Sequence, residues 1–219
     1  MNATVLTGCL RAVTIPLTCF VCFLPDYTFP VVTKEGLSHR SIRAYLSDPL
    51  PAGTLELLVA AAQSASTSSN LQTWSVVAVE SQERKDELSK LAGNQAHIRQ
   101  APLFLVWLAD LARLTYVADS RGISHDGLEY LEMFVMATVD ATLAAQNATV
   151  AAESLGLGTV YIGGIRNRPE EVAAILNLPA SVYAVFGLCV GYPDPEVNAA
   201  INPLLSLSEN NNLSLILRL

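Results

Sequence analysis

Positive charge is scarce in this chain: 13 Lys and Arg stand against 20 Asp and Glu in 219 residues, giving a formal net charge of −7 and a pI near 4.9. A surface of that sign repels polyanions, so a nucleic-acid partner is not expected. Any bound anion should be small and met locally, where cationic side chains and backbone N–H groups converge. Cysteine is equally sparse. Cys9, Cys19, Cys22 and Cys189 form neither a disulfide framework nor a repeated CxxC pair, so no metal site is expected, and Cys189 in VFGLCVG reads as a small packing residue. The three histidines, His39, His97 and His125, have no supporting Ser-His-Asp constellation. Internal repeats, low-complexity tracts and linkers are also missing, so one domain is expected, and 51% hydrophobic content suffices for a sizeable core.

Apolar runs of membrane-spanning length are lacking as well. The run AVTIPLTCFVCFLP after Arg11 has the outline of a signal-peptide core but is too short to cross a bilayer, and no small-x-small tripeptide follows it cleanly. Residues 1–33 are therefore expected to be an irregular extension, or to begin upstream of the native start. The expected compartment is the cytoplasm, with export as the minor alternative and no membrane partner.

What remains is well organised. LPAGTLELLVAAAQSAS predicts a helix from about Ala52 to Ser64; the polar STSSN, Ser66 to Asn70, breaks it; and WSVVAVE reads as a strand. SQERKDELSKLAG predicts a charged helix from about Gln82 to Leu91, and APLFLVWLAD a buried strand from about Leu103 to Leu108. From Glu129 to Leu155 runs the longest helical signal, apolar nearly all round and stopped by Gly156 and Gly158, so it must be central or pair with another subunit. TVYIGGI then predicts a strand, RPEEVAAILNL a helix with Pro169 in its first turn, and YAVFGLCVGYP a further strand. The pattern is an α+β fold with about four core strands.

Three stretches carry chemistry rather than packing. SHRSIRAYL, Ser38 to Leu46, places His39, Arg40 and Arg43 together in an acidic protein. With Ser41 they could hold a phosphate through charge-assisted hydrogen bonds, although an exposed basic turn at a helix start would look the same. STSSN offers hydroxyls and backbone donors, or is simply a surface loop. Gly163 and Gly164 would let a backbone approach a flat ring closely, or only turn the chain.

Taken in order, HRSIR, ASTSSNLQTWSVV, GNQAH, AAQNATVAAESLGLGTVYIGGIRNRPEEV and FGLCVGYP resemble the FMN-dependent nitroreductase and flavin reductase family, in its NADPH-preferring, oxygen-insensitive branch, over about Leu37 to Pro203. The resemblance implies an α/β sandwich with a central antiparallel-type sheet flanked by helices. It also implies a homodimer built on the long apolar helix, with FMN at the subunit interface and NADPH as co-substrate. By motif position, His39, Arg40 and Ser41 would hold the FMN phosphate and ribityl end, and Arg43 would reach the pyrimidine edge, where positive charge favours the anionic reduced flavin. Ser66, Thr67, Ser69 and Asn70 would lie along the flavin from the partner subunit. Gln95 would hydrogen-bond the ring's polar edge, and Glu132 would approach from its own subunit. Tyr161, Ile162, Gly163 and Gly164 would pass the dimethylbenzene and N5 side.

The implied activity is hydride transfer from NAD(P)H through flavin N5 to nitroaromatics, quinones or free flavin in ping-pong order, with no protein nucleophile. The family pattern extends over 34–204 and departs at the C-terminus. There Asn202 and Leu204 stand where a Lys and an Arg would close on the phosphate, and 205–219 forms an atypical tail in place of a segment that wraps the partner. A flavin-binding or flavin-sequestering protein with poor turnover is the alternative, and a dimerisation module without cofactor the limiting case.

Overall fold

A computed structural model describes residues 39–197, together with the backbone of Leu10–Arg11. The expectations for the rest of 1–33, for Asn202 and Leu204 and for the tail 205–219 lie outside the described residues.

The centre is an antiparallel sheet. Its strands are β1 (Leu10–Arg11), β2 (Trp74–Val79), β3 (Leu103–Asp110), β4 (Gly158–Ile162) and β5 (Val182–Gly191), in the order β1-β2-β3-β5-β4. The α+β expectation therefore stands, with four substantial strands. Alternation along β3 sorts the two layers, as a period of two demands. Phe104, Val106 and Leu108 face one core, with Leu88, Ile98, Val172 and Leu176; Leu103, Leu105 and Trp107 face the other, with Leu58, Ala144, Ala145 and Ala148.

The first layer is formed by α2 (Gln82–Leu91), α3 (Ala96–Gln100) and α6 (Pro169–Leu176), which follow α1 (Thr54–Gln63) in the chain. Ser81 caps α2 by accepting from Arg84 N–H at 3.4 Å, and Pro169 sits at the start of α6, where its missing N–H costs nothing. The second layer is α1 and the long helix α5 (Leu131–Ser154). Between β3 and α5 lies α4 (Ala112–Ser120), which buries no residue and which hydrophobic periodicity did not predict. The short α3 was likewise unforeseen, since five residues carry too little periodic signal.

Helix α5 is central on one side and, among the described residues, exposed on the other. Ala137, Ala141, Ala144, Ala145, Ala148 and Ala152 are buried, and their small side chains let the helix lie close against the sheet. On the far side Leu131, Val135, Val139 and Leu143, spaced by four residues, are 75, 48, 49 and 41% exposed. Among the described residues no helix is long and apolar enough to cross a membrane.

Candidate functional site

Strand β4 is an edge, and its free side is taken by the basic segment. Ser41 pairs with Thr159 in a parallel bridge, Ile42 N–H donates to Thr159 O at 2.8 Å, and Tyr45 pairs with Pro193 just beyond β5. Gly158 makes this approach possible: a Cβ there would lie 2.6 Å from Ile42 Cγ1. Ile42 and Tyr45 are buried while Arg40 and Arg43 are exposed, so the segment anchors through its apolar residues and presents its guanidinium groups. Within the core, Tyr45 Oη–H donates to Ile42 O at 2.7 Å.

The same strand delivers the glycines. After Ile162 the chain enters a 3-10 turn over Gly163–Asn167, and at Gly164 an added Cβ would lie 2.5 Å from Ala92 O and 2.9 Å from Gln95 Nε2. Gln95, whose Nε2–H donates to Ala92 O at 2.8 Å, is therefore packed against the Gly163–Gly164 backbone. Arg43 reaches this side as well. Burial, reinforced by the Arg43 guanidinium, holds the His97 imidazole below its ordinary pKa. Three motifs far apart in the chain thus meet at one edge of the sheet: His39 to Arg43, Gln95 with His97, and Tyr161 to Gly164.

A polar seam between β4 and α5 supports that edge. His39 Nδ1–H donates to Glu153 Oε1 at 2.6 Å, and Thr159 Oγ1–H donates to the same oxygen at 3.0 Å. One face along, Thr149 Oγ1–H donates to Tyr161 Oη at 2.9 Å, and Tyr161 Oη–H points to Gln146 Oε1 at 3.4 Å. Burial pushes the Tyr161 phenol up to about 12, so it stays protonated and able to donate. Thr159 and Tyr161 face α5, whereas Val160 and Ile162 join the opposite core. Within one protomer, Tyr161 therefore turns its ring onto α5 and against Phe186, at 5.0 Å and nearly edge-on.

Two expected groups are not brought to this edge. No hydrogen bond among the described residues links Ser66, Thr67, Ser69 or Asn70 to it; their loop is fastened instead to Asp140 of α5. Glu132, exposed in the first turn of α5, lies about 31 Å from Glu153 along the helix axis at 1.5 Å per residue. Sequence reasoning missed Glu153 and Asp140. Each is an acidic residue on an alanine-lined face of an apolar helix, and a carboxylate there needs a partner, which is the signal that would have found them.

The residues present fit FMN on two structural grounds. An exposed run with two arginines beside a histidine suits a phosphate ester. The Gln95 carboxamide packed beside Gly164, with the buried Nε2 of His97, which has no hydrogen-bond partner among the described residues, suits the polar edge of a flat ring. Among the described residues no group of three or more His, Cys, Asp or Glu is placed to hold a metal ion.

Comparison with known proteins points the same way. The model of the Nitroreductase family matches residues 37–192. The chain is 48% identical over 159 residues to an FMN reductase (NADPH) of Bacillus subtilis, covering 72% of this chain and 64% of the relative, so it spans somewhat less than two thirds of that protein's length. It is 38% identical to an NADPH-flavin oxidoreductase of Vibrio harveyi, covering 80% of this chain and 71% of the relative. A solved B. subtilis nitroreductase superposes with a TM-score of 0.76 at 43% identity, covering 78% and 70% of the two chains.

Proposed function

The chain belongs to the Nitroreductase family, and from that premise we propose that it is an FMN-dependent oxidoreductase that moves two electrons from NADPH to a nitroaromatic, quinone or free flavin in ping-pong order. The observation that carries this reading is the meeting of His39 to Arg43, Gln95 and Gly163–Gly164 at the free edge of β4. The relatives are named as NADPH-linked FMN reductases and nitroreductases, which supports the choice of cofactor and donor.

In this reading His39, Arg40 and Ser41 hold the phosphate end, and Glu153 fixes the imidazole of His39. Arg43 supplies positive charge at the polar edge of the ring, where Gln95 orients it, and Gly163 and Gly164 offer backbone close to its other side. Bound FMN would supply a two-electron carrier able to accept hydride and return it. The protein contributes binding, orientation and electrostatics, and no side-chain nucleophile is required.

A second copy of the chain belongs to the same proposal. The stripe Leu131, Val135, Val139 and Leu143 is apolar, continuous along α5 and uncovered in one protomer. A homodimer closed on it would bring the Ser66–Asn70 loop to the flavin edge of the partner. A cytoplasmic setting, where NADPH is supplied, fits this reading.

Flavin titration tests it directly. Purified protein should bind FMN and riboflavin, NADPH should bleach the bound flavin, and a nitroaromatic or quinone should restore its colour. Binding without bleaching would favour a flavin-sequestering role. A protein that binds neither flavin would overturn the proposal.

A further inference from the structure

Asp140 is 2% exposed, and it is fully occupied by one loop. Its Oδ2 accepts from Thr67 Oγ1–H at 2.5 Å, from Thr73 N–H at 3.2 Å and from Thr73 Oγ1–H at 3.1 Å, while Oδ1 accepts from Ser68 N–H at 3.2 Å. No Lys, Arg or His forms an ion pair with it among the described residues. Four donors from Thr67 to Thr73 therefore carry the whole compensation of a buried carboxylate.

The segment between those donors is a single 3-10 turn over Ser68–Asn70, closed by Leu71 N–H donating to Ser68 O at 2.9 Å and Gln72 Nε2–H to Asn70 Oδ1 at 3.1 Å, with Arg113 Nη2–H donating to Gln72 O; of these contacts only the Asp140 set ties the turn to α5. Ser69, Asn70 and Gln72 have φ of 50, 55 and 52°, a left-handed backbone that Asn adopts readily but Ser and Gln adopt seldom. Gln72 N–H donates to Thr67 Oγ1 at 2.8 Å, so the threonine hydroxyl relays the carboxylate's hold to the far side of the turn. Thr67 is thereby turned inward. Ser66, Ser69 and Asn70 remain exposed.

We propose that Asp140 is a positioning residue: it clamps the Ser66–Thr73 loop in its left-handed form, so that Ser66, Ser69 and Asn70 are presented as a preformed polar edge to the flavin ring. The clamp is set in α5 beside Val139, on the stripe assigned to the second copy, so one helix fixes both the loop and the surface that brings the loop to its ligand. The ligand part of this inference rests on the flavin reading given above. The clamp does not.

Asp140→Asn separates the two. The amide is nearly isosteric, but its Nδ2 cannot accept, so up to three of the four donors lose their partner. In cofactor-free protein, hydrogen exchange at whichever of the Ser68 and Thr73 amides faces Nδ2 should accelerate at least tenfold, with the Ala144–Ala152 amides and the oligomeric state unchanged. FMN and riboflavin should both bind at least tenfold more weakly, because the ring contacts are disturbed rather than the phosphate end. Arg40→Ala should weaken FMN alone. Thr67→Val should accelerate the same exchange while Thr67→Ser keeps the wild-type rate, which reads the same contact with the carboxylate intact if Asp140→Asn does not fold.

Wild-type exchange at Ser68 and Thr73 in Asp140→Asn overturns the clamp, as does loss of α5 protection or of the dimer together with the loop, which would make Asp140 a general core residue. Unchanged affinity for both flavins in a variant with a loosened loop overturns the positioning role. A wild-type protein that binds neither flavin overturns the flavin reading and the purpose given to the loop, while exchange still decides the clamp.

Discussion

His39 Nδ1 and Glu153 Oε1 lie 2.6 Å apart across 114 residues of sequence, joining the basic segment to the last turn of the long helix. The pair fixes the imidazole plane and directs its other nitrogen away from α5. Thr159 donates to the same carboxylate oxygen, so the acceptor is held as well as the donor.

Glu153→Gln should therefore weaken FMN by roughly three- to tenfold, at most ~1.4 kcal/mol, because His39 is partly exposed and solvent screens the pair. Riboflavin, which lacks the phosphate, should bind the variant and the wild type alike. Equal weakening of both ligands would place His39 at the ring rather than at the phosphate.

Leu143→Glu sets a charge at the C-terminal end of the exposed stripe of α5 without touching its buried alanines. If the wild type closes on this stripe as proposed, sedimentation should show the variant as a monomer at concentrations where the wild type is paired, with helix content retained. Flavin binding should fall in parallel, since the Ser66–Asn70 loop would no longer meet a neighbour. A variant that still dimerises would move the interface off this stripe.

Elements whose pattern is local were legible from sequence. The helix Gln82–Leu91 has a Ser cap, a charged exterior and a glycine two residues past its end, and each of those signals acts within a few residues. Helix Ala112–Ser120 escaped although Leu111, Leu114, Thr115 and Ala118 form a half-buried stripe, because the stripe spans only two turns and none of its residues is fully buried. The site followed the same division. His39, Arg40, Arg43 and Gln95 stood out because packing does not require them. Glu153 and Asp140 did not, because their partners, His39 and the Thr67–Thr73 turn, are supplied by the fold from 114 and about 70 residues away.

The two adjacent glycines separate packing from mere turning. Gly164→Ala would push a methyl group onto Ala92 O at 2.5 Å and Gln95 Nε2 at 2.9 Å, and the backbone oxygen cannot move aside. Destabilisation of about 1–3 kcal/mol is expected, as for overpacking elsewhere. Gly163→Ala meets only the Arg166 guanidinium at 3.3 Å, the far end of a long side chain, and should cost less than about 1 kcal/mol. Urea denaturation of both variants checks the order, and equal losses would show that the Gly164 contact relaxes.

Acid should act through His97. Burial first, and the Arg43 guanidinium second, hold its imidazole below the ordinary value of 6.5. The unfolded chain thus takes up this proton at a higher pH than the folded one, so stability rises with pH between the two values. This contribution is fully present above about 6.5 and is lost as pH falls from there through the lowered folded value. His97→Gln should flatten the fall of the melting temperature between about pH 6.5 and 5, whereas His125→Gln, at an exposed pair with Asp119, serves as the control. Arg43→Ala should move the His97 proton resonances to titrate at higher pH, because one of the two causes is removed. An unchanged titration in Arg43→Ala would show that burial alone sets His97, and that the guanidinium does not act at the Gln95 edge.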